Sequence, residues 1–388
     1  MEIREVKLGE VATVKGGKRL PKGINLITKP NAHPYIRVRD LNGKRTLELD
    51  GSFEFVDDET QKAISRYIVI NGDIVLSIVG TIGLVSIVGD SLNEANLTEN
   101  CVKLTSFSGI DRDYLYYYLR SSYGQQEIAR GTVGAVQAKL PIKNIQDITI
   151  PLPDEVTQGR IAAILSSLDT KIEINQRIND NLLQQAQALF KSWFVDFEPF
   201  NNQKPSDWSV STLGNVSIMG AGGDKPQNVS PIKSNLCQYP IYSNGLSEEG
   251  LYGFTDKPKI FKESVTVSAR GTIGFVCLRH IPYVPIVRLV TLIPKTEIIS
   301  AKYLYLWLKQ FHITGTGTTQ QQLTVPDFRK TEILVPSQEI VTLFTATVEP
   351  IFEKIWANQN ENEKLSSLRD TLLPKLMSGE LDVSYIDL

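Results

Sequence analysis

Cysteine, histidine and methionine are scarce in this 388-residue chain, with three of each. Cys101, Cys237 and Cys277 are far apart and odd in number, and no CxxC occurs. Neither a disulfide framework nor a zinc site is supported. His33, His280 and His312 are isolated, and none sits in an HxH or HExxH pattern. Imidazoles so placed are ordinary surface or core residues, so no metal ligand set is assigned. Gly16-Gly17-Lys18 is followed by Arg19 and lacks the upstream glycine of a phosphate-cradling loop. No GxSxG is present, and no cysteine has a local catalytic context. Absent too is the Asn/Asp-Pro-Pro-Tyr/Phe run of enzymes that flip a base and methylate its amino group. Long apolar runs are also lacking. The most apolar of the long uncharged stretches, residues 74–89, is too short and too interrupted by glycine to span a bilayer. The start, MEIREVKLGE, has no apolar signal core. The expectation is a cytoplasmic chain with no membrane contact, no cofactor of its own and no catalytic role.

Charge is nearly balanced, at −2, but unevenly spread. Residues 1–45 carry 11 basic against 4 acidic side chains, and 205–336 carry 13 against 9. Residues 154–198 carry 4 against 7, and those from 337 onward 4 against 9. A basic face meeting phosphates gives this pattern, as does a mixed solvated surface.

What is present is a stretch that occurs twice, at 156–193 and 339–376. Ile161, Leu165, Leu168, Ile172, Asn175, Asn179, Leu182, Ala186, Leu189 and Trp193 fall at alternating steps of four and three. Adding 183 to each gives Phe344, Val348, Ile351, Ile355, Asn358, Asn362, Leu365, Arg369, Leu372 and Leu376. Such steps keep one stripe on one side of a helix, and polar Asn on that seam fixes register. The predicted helix-pair interface is therefore Leu168, Ile172, Asn175, Asn179, Leu182 and Leu189 against Ile351, Ile355, Asn358, Asn362, Leu365 and Leu372. Ser166-Ser167-Leu168-Asp169 and Glu349-Pro350-Ile351 predict a break in each copy, since Ser and Asp favour N-caps and Pro the first turn. Each copy then reads as a short helix followed by a long one of about 28 residues, roughly 40 Å.

The globular stretches repeat only at landmarks. Leu8-Gly9-Glu10-Val11 is echoed by Leu213-Gly214-Asn215-Val216, and Gly80-Thr81-Ile82-Gly83 by Gly271-Thr272-Ile273-Gly274. GTVGAVQAKLPIKNI (131–145) is echoed by GTGTTQQQLTVPDF (315–328), and IPLP by LVPS. Alternation predicts a strand over YIRVRDL (35–41), and strands within 67–88 that turn at Gly80 and Gly83. A helix is predicted over DRDYLYYYLRS (111–121), its tyrosines core aromatics rather than base-stackers. FEPFNNQKPSDW (197–208) reads as a linker. The domains are 1–153, a helical 154–198, 199–336 with its leading linker, and a helical 337–388.

This order resembles the specificity subunit of type I restriction–modification systems over nearly the whole chain. One departure is at the helix entrances, where the family commonly shows Pro-x-x-Glu-Gln. Here Pro153-Asp-Glu-Val-Thr-Gln158 and Pro336-Ser-Gln-Glu-Ile340 stand instead. The resemblance implies an α+β fold. Two globular α/β-type target recognition domains would be separated by two long helices packed as an antiparallel coiled coil, in a pseudo-two-fold internal repeat. Each domain would read half of an asymmetric bipartite site on double-stranded DNA. The helices would set the spacer, their length being comparable to one turn of DNA, about 34–36 Å. They would also recruit two modification subunits and, through them, restriction or translocase subunits. S-adenosylmethionine, ATP and Mg would belong to those partners.

Candidate DNA-contacting residues follow from chemistry. Lys15, Lys18, Arg19 and Lys22 lie in a Gly/Pro-punctuated loop, and Arg37 and Arg39 would share one face of a strand. Gln137 and the run Gln320-Gln321-Gln322 suit bidentate pairing with adenine, and Lys139, Arg270 and Thr272 adjoin the same repeated elements. Two alternatives stand beside this reading. Asp154, Asp169 and Lys171 fit a loose metal-nuclease spacing, and the paired helices fit a protein scaffold with no DNA role.

Overall fold

Short β-branched runs punctuated by glycine do become strands in a computed structural model, which describes residues 3–41, 43–134, 136–311, 313 and 322–383. The chain divides into two units, Met1–Asn175 with Gln359–Leu388, and Gln176–Asn358.

In the first unit the globular segment is tied at its ends. β1 (Arg4–Lys7) pairs antiparallel with β10 (Thr149–Leu152), in the register Arg4 to Leu152. Between them run α1 (Leu8–Val11), β2 (Thr13–Gly16), β3 (Pro34–Ile36), β4 (Thr46–Leu47), β5 (Glu54–Phe55) and α2 (Asp58–Ile64). β6 (Ile74–Ser77), β7 (Val85–Val88), β8 (Asn96–Leu97), β9 (Cys101–Thr105), α3 (Arg112–Arg120), α4 (Ser122–Gly131) and α5 (Ile142–Gln146) complete the segment. One sheet has the order β2-β9-β6-β7-β4 and a smaller one β5-β3-β8. The Gly80/Gly83 turn joins β6 and β7 as predicted, and both glycines have positive φ, +80° and +91°. The predicted 111–121 helix is α3. The Asp111 carboxylate caps it by accepting the Tyr114 N–H, and Tyr116, Tyr117 and Tyr118 are buried in the core.

One predicted strand is shorter. β3 stops at Ile36, and Val38–Asp40 forms a 3-10 turn. The Asp40 carboxylate accepts both the Arg37 backbone N–H (2.8 Å) and its Nε (3.0 Å), which outcompetes ladder pairing. Arg37 and Arg39 therefore do not share a strand face.

The second unit repeats the plan. β11 (Ser209–Thr212) pairs with β19 (Glu332–Val335) as β1 does with β10. Between lie α7 (Leu213–Val216), β12 (Ser217–Ala221), β13 (Tyr239–Tyr242), β14 (Leu251–Thr255), β15 (Ser264–Val267) and β16 (Val276–Arg279). β17 (Val284–Pro285), β18 (Val290–Pro294), α8 (Ala301–Gln310) and α9 (Val325–Phe328) follow. The sheets have the orders β12-β18-β15-β16 and β14-β13-β17. Residues 197–208 are anchored rather than a free linker. Trp208 is 4% exposed, with Phe194, Phe197 and Phe200 ring centroids 5.6, 5.9 and 5.0 Å away.

The long helices are unbroken, which corrects the predicted breaks. α6 spans Glu155–Phe194 and α10 spans Gln338–Ser378. At 1.5 Å per residue each is about 60 Å long. Ser166 and Ser167 do not recap. Their hydroxyls bond back to the carbonyls of Ala163 and Ile164 within the same helix. Pro350 lies inside α10, where it forfeits one backbone bond while the helix continues.

Within each unit the helix segments run antiparallel. In the first, Asn175 Nδ2 donates to Asn362 Oδ1 (2.8 Å), and Asn362 Nδ2 to the Ile172 carbonyl (3.4 Å). In the second, Asn358 Nδ2 donates to Asn179 Oδ1 (2.8 Å), and Asn179 Nδ2 to the Ile355 carbonyl (3.3 Å). Ile172, Asn175, Ile355 and Asn358 are buried; Leu168, Asn179, Leu182, Leu189, Ile351, Asn362, Leu365 and Leu372 are half-buried. Apolar residues off the seam, Leu373 and Met377 in the first core and Phe190, Phe194 and Phe352 in the second, dock the helix segments of each unit on that unit's own core, together with the seam ends Ile161 and Leu165 in the first and Phe344 in the second.

Candidate nucleic-acid interface

In the first unit, residues widely separated in sequence converge on the turn 97–101. The Gly17 N–H donates to the Cys101 carbonyl (3.0 Å), and the Lys18 N–H to the Leu97 carbonyl (2.8 Å). Thr98 N–H donates to the Ile36 carbonyl (3.1 Å), and Ile78 N–H to the Asn100 carbonyl (2.8 Å). Leu140 N–H then donates to the Ile78 carbonyl (3.0 Å), while Val79 and Lys139 form a bridge. The Gly16-Gly17 segment, the 97–101 turn, the Gly80-Thr81-Ile82-Gly83 loop and the glutamine loop thus form one hydrogen-bonded frame. Gly17 is required by this packing, since a Cβ there would lie 2.0 Å from the Thr98 carbonyl oxygen.

The predicted residues divide on this frame. Lys15, Lys18, Arg19, Lys22, Gln137 and Lys139 are exposed. Arg19 Nε donates to Glu99 Oε1 at 2.6 Å. Partial burial pushes the Glu99 carboxyl up, but the hydrogen bonds from Arg19, its own backbone and Thr98, with the Arg19 charge, together outweigh it, and the net shift is downward. Lys18 Nζ lies 5.5 Å from the Tyr67 ring centroid. Arg37 is committed inward, its guanidinium bonded to Asp40, Glu54 and the Ser52 carbonyl with 15% side-chain exposure. Arg39 shares Glu54 at 3.0 Å and is exposed. Burial pushes the Cys101 thiol up to about 12, so it is unreactive at neutral pH.

The second unit builds the same frame with other atoms. Gly222 N–H donates to the Leu289 carbonyl (2.8 Å), Ile286 N–H to the Tyr242 carbonyl (2.9 Å), and Leu323 N–H to the Ala269 carbonyl (3.1 Å). Gly271 and Gly274 have φ of +70° and +85°, as the matching glycines of the first unit do. Arg270 and Thr272 are exposed, and Arg270 Nη2 donates to Gln322 Oε1 at 3.3 Å. Gln320 and Gln321 lie outside the described residues.

Sequence reasoning missed the 97–101 turn and its counterpart at 286–289. It also missed Asn244 and Arg288. The Gly222-Gly223 pair, an echo of Gly16-Gly17, was the available signal.

The nuclease residues are not assembled. Asp169 is 4% exposed, accepting the Tyr117 hydroxyl (2.7 Å) and Arg369 Nη1 (2.6 Å). Asp154 caps α6 through the Thr157 N–H (2.9 Å), and Lys171 pairs with Glu361 (3.4 Å). Asp154 and Asp169 are 15 residues apart on or beside one helix, about 22 Å of rise. Among the described residues no cluster of three or more His, Cys, Asp or Glu is placed to hold a metal ion. No helix among them is long and apolar enough to cross a membrane.

Residues 2–184 and 205–366 match the model of a family described as the type I restriction modification DNA specificity domain. The chain is 27% identical over 391 residues to the type I restriction enzyme MjaIX specificity subunit of Methanocaldococcus jannaschii, covering 91% of this chain and 88% of that one. It is 28% identical over 328 residues to the HindI specificity subunit of Haemophilus influenzae, covering 63% and 71%. Its fold is similar to that of a type I restriction–modification S subunit from M. genitalium, with a TM-score of 0.56, 18% identity, and 97% and 96% coverage.

Proposed function

This chain belongs to the type I restriction modification DNA specificity family, and on that premise we propose how its parts divide the work. The chain is the DNA sequence-specificity subunit of a type I restriction–modification complex, with no catalytic role of its own. Each unit reads one half of a bipartite duplex site through its frame of glycine loop, glutamine loop and basic segment. The observation that carries this is the repeated frame, built twice on one backbone plan but lined by different side chains. Val79 in the first unit is Arg270 in the second, and Lys139 is Gln322. The half-sites therefore differ in sequence. Lys15, Lys18, Arg19, Lys22 and Arg39 serve phosphate contact, and Gln137, Lys139, Arg270, Thr272 and Gln322 line the base-reading loops. Arg37 shapes the loop from within. Gln320 and Gln321 remain candidates on sequence grounds.

The long helices serve as spacer between the half-sites and as the docking place for two modification subunits. S-adenosylmethionine binds those subunits, while ATP and Mg belong to the restriction subunits that join them. Action on chromosomal DNA places the chain in the cytoplasm.

The test is an exchange of residues 205–336 for the matching segment of another family member, followed by methylome sequencing of the host. One half-site is expected to change while the other and the spacer stay. Two altered half-sites, or none, would sink the division of labour. The nuclease reading has nothing to stand on once Asp169 is buried against Tyr117 and Arg369, and the scaffold reading predicts no salt-dependent binding to duplex DNA.

A further inference from the structure

The geometry points to the turn 286–289 of the second unit as a base-reading element in which Arg288 contacts a guanine, with Asn244 holding the turn in place. This rests on the reading of the second unit as a reader of one half-site.

Beyond the Gly222-to-Leu289 and Ile286-to-Tyr242 bonds, four hydrogen bonds fix the turn. Val287 N–H donates to the Gly223 carbonyl (2.9 Å), Arg288 N–H to the Gly222 carbonyl (2.8 Å), and Leu289 N–H to the Ile286 carbonyl (3.0 Å). The fourth comes from a side chain, Asn244 Nδ2 to the Val287 carbonyl at 2.6 Å. The same Asn244 accepts the Ala269 N–H at its Oδ1 (2.8 Å), one residue before Arg270 and the Gly271–Gly274 loop. One amide thus ties the turn to the glycine loop. In the first unit that link is a direct backbone bond from Ile78 to Asn100, with no side chain between.

The backbone of the turn is unusual. Val287 and Arg288 have φ of +52° and +62°, a left-handed conformation that a β-branched residue avoids. Strain of this kind persists only where the surroundings over-determine it, as the four bonds do here. Among the matching residues of the first unit, neither Glu99 nor Asn100 has positive φ. Chemistry differs as well. The first unit places Glu99 in the turn and neutralises it with Arg19. The second places an apolar Val287 and an exposed Arg288.

Arg288 therefore projects from a rigid backbone that Asn244 ties to the glycine loop, whose Arg270 bonds Gln322 of the glutamine loop. Arg270 spends a donor on Gln322. A planar guanidinium on a fixed backbone matches O6 and N7 of guanine in the major groove, the commonest specific arginine contact. A residue that only neutralised phosphate would need no such strained mounting.

The experiment uses the complete chain assembled with its modification subunits. The methylated site is first mapped for the wild type. Binding is then measured to duplexes carrying each single base-pair change in that site. Arg288→Ala is expected to reduce discrimination roughly 5- to 150-fold at one G·C pair, in the half-site that exchange of residues 205–336 alters. Arg288→Gln is expected to move preference at that pair toward A·T. Asn244→Ala should weaken discrimination at the same pair, with an effect less than additive with Arg288→Ala. An equal loss of affinity for every duplex would show a phosphate contact and overturn base reading, as would an unchanged profile. Full additivity would leave Asn244 a merely structural residue. A wild-type complex with no sequence preference would instead sink the specificity-subunit reading itself, a result distinct from any of these.

Discussion

Arg369 Nη1 lies 2.6 Å from Asp169 Oδ1, and the Tyr117 hydroxyl donates to the other carboxylate oxygen at 2.7 Å. The matching positions of the second unit are Ala186, Phe352 and Leu306, all at most 3% exposed. The whole constellation changes together, polar in one unit and apolar in the other. Arg369→Ala should destabilise the first unit by about 3–5 kcal/mol, because Asp169 would remain buried without its counter-ion. Combining it with Tyr117→Leu and Asp169→Phe, which copies the second unit's solution, should recover most of that loss. Denaturant unfolding of the full chain reads both. A triple variant no better than Arg369→Ala would contradict the equivalence.

The glycine pair ahead of the 97–101 turn makes unequal demands. A Cβ on Gly17 would meet the Thr98 carbonyl oxygen at 2.0 Å, whereas on Gly16 the nearest atom is 3.5 Å away. Gly17→Ala should therefore cost roughly 1–3 kcal/mol through a forced backbone shift. It should also weaken binding to the first half-site, while Gly16→Ala leaves both nearly unchanged. Thermal unfolding and titration with duplex DNA distinguish them; equal effects would mean the turn is looser than described.

The seam amides work in pairs. Asn175→Leu would leave the Asn362 Oδ1 without its donor and should destabilise by about 1–3 kcal/mol. The double replacement Asn175→Leu with Asn362→Leu should regain that stability and loosen register instead. Methylome sequencing of a strain carrying the double variant would then show more than one spacer length. A single, unchanged spacer would mean the apolar seam alone sets register.

His280 stacks on Trp356 with ring centroids 4.1 Å apart. Burial, then the nearby Lys302 and Arg279 cations, lower its pKa from 6.5 to about 4. The folded chain prefers the neutral ring. Any stability linked to it is fully present above about pH 6.5 and declines as pH falls toward 4. The imidazole is partly exposed, so the effect is modest. Its NMR signal should titrate near pH 4, and Trp356→Ala should move the midpoint upward. A midpoint near 6.5 in the wild type would refute this.

Much of the architecture was legible because its signals are local and periodic. The heptad steps located both long helices, the matched Asn positions paired as expected, and the repeated Gly-Thr-Ile-Gly marked the same hairpin turn in each unit. Acidic residues at its start marked the 111–121 helix, which the Asp111 carboxylate then caps. The interface was only half legible. Arg37 looked like a free cation on a strand until Asp40 and Glu54 withdrew it, and the helix breaks expected at Ser166–Ser167 and Pro350 did not occur. Local cap preference lost there to two long apolar stripes that a continuous helix buries together.

The doubled plan, the helix pair and the family were legible along the chain alone, since each rests on spacing and order in the sequence. Which loops meet was not legible there and followed from the fold. The 97–101 and 286–289 turns gather residues tens of positions apart through single backbone bonds. No periodicity encodes such bonds, because they depend on where sheet order carries the chain. The same long-range placement leaves Arg288 exposed on a fixed backbone and turns Arg37 inward, although both read as ordinary arginines along the chain.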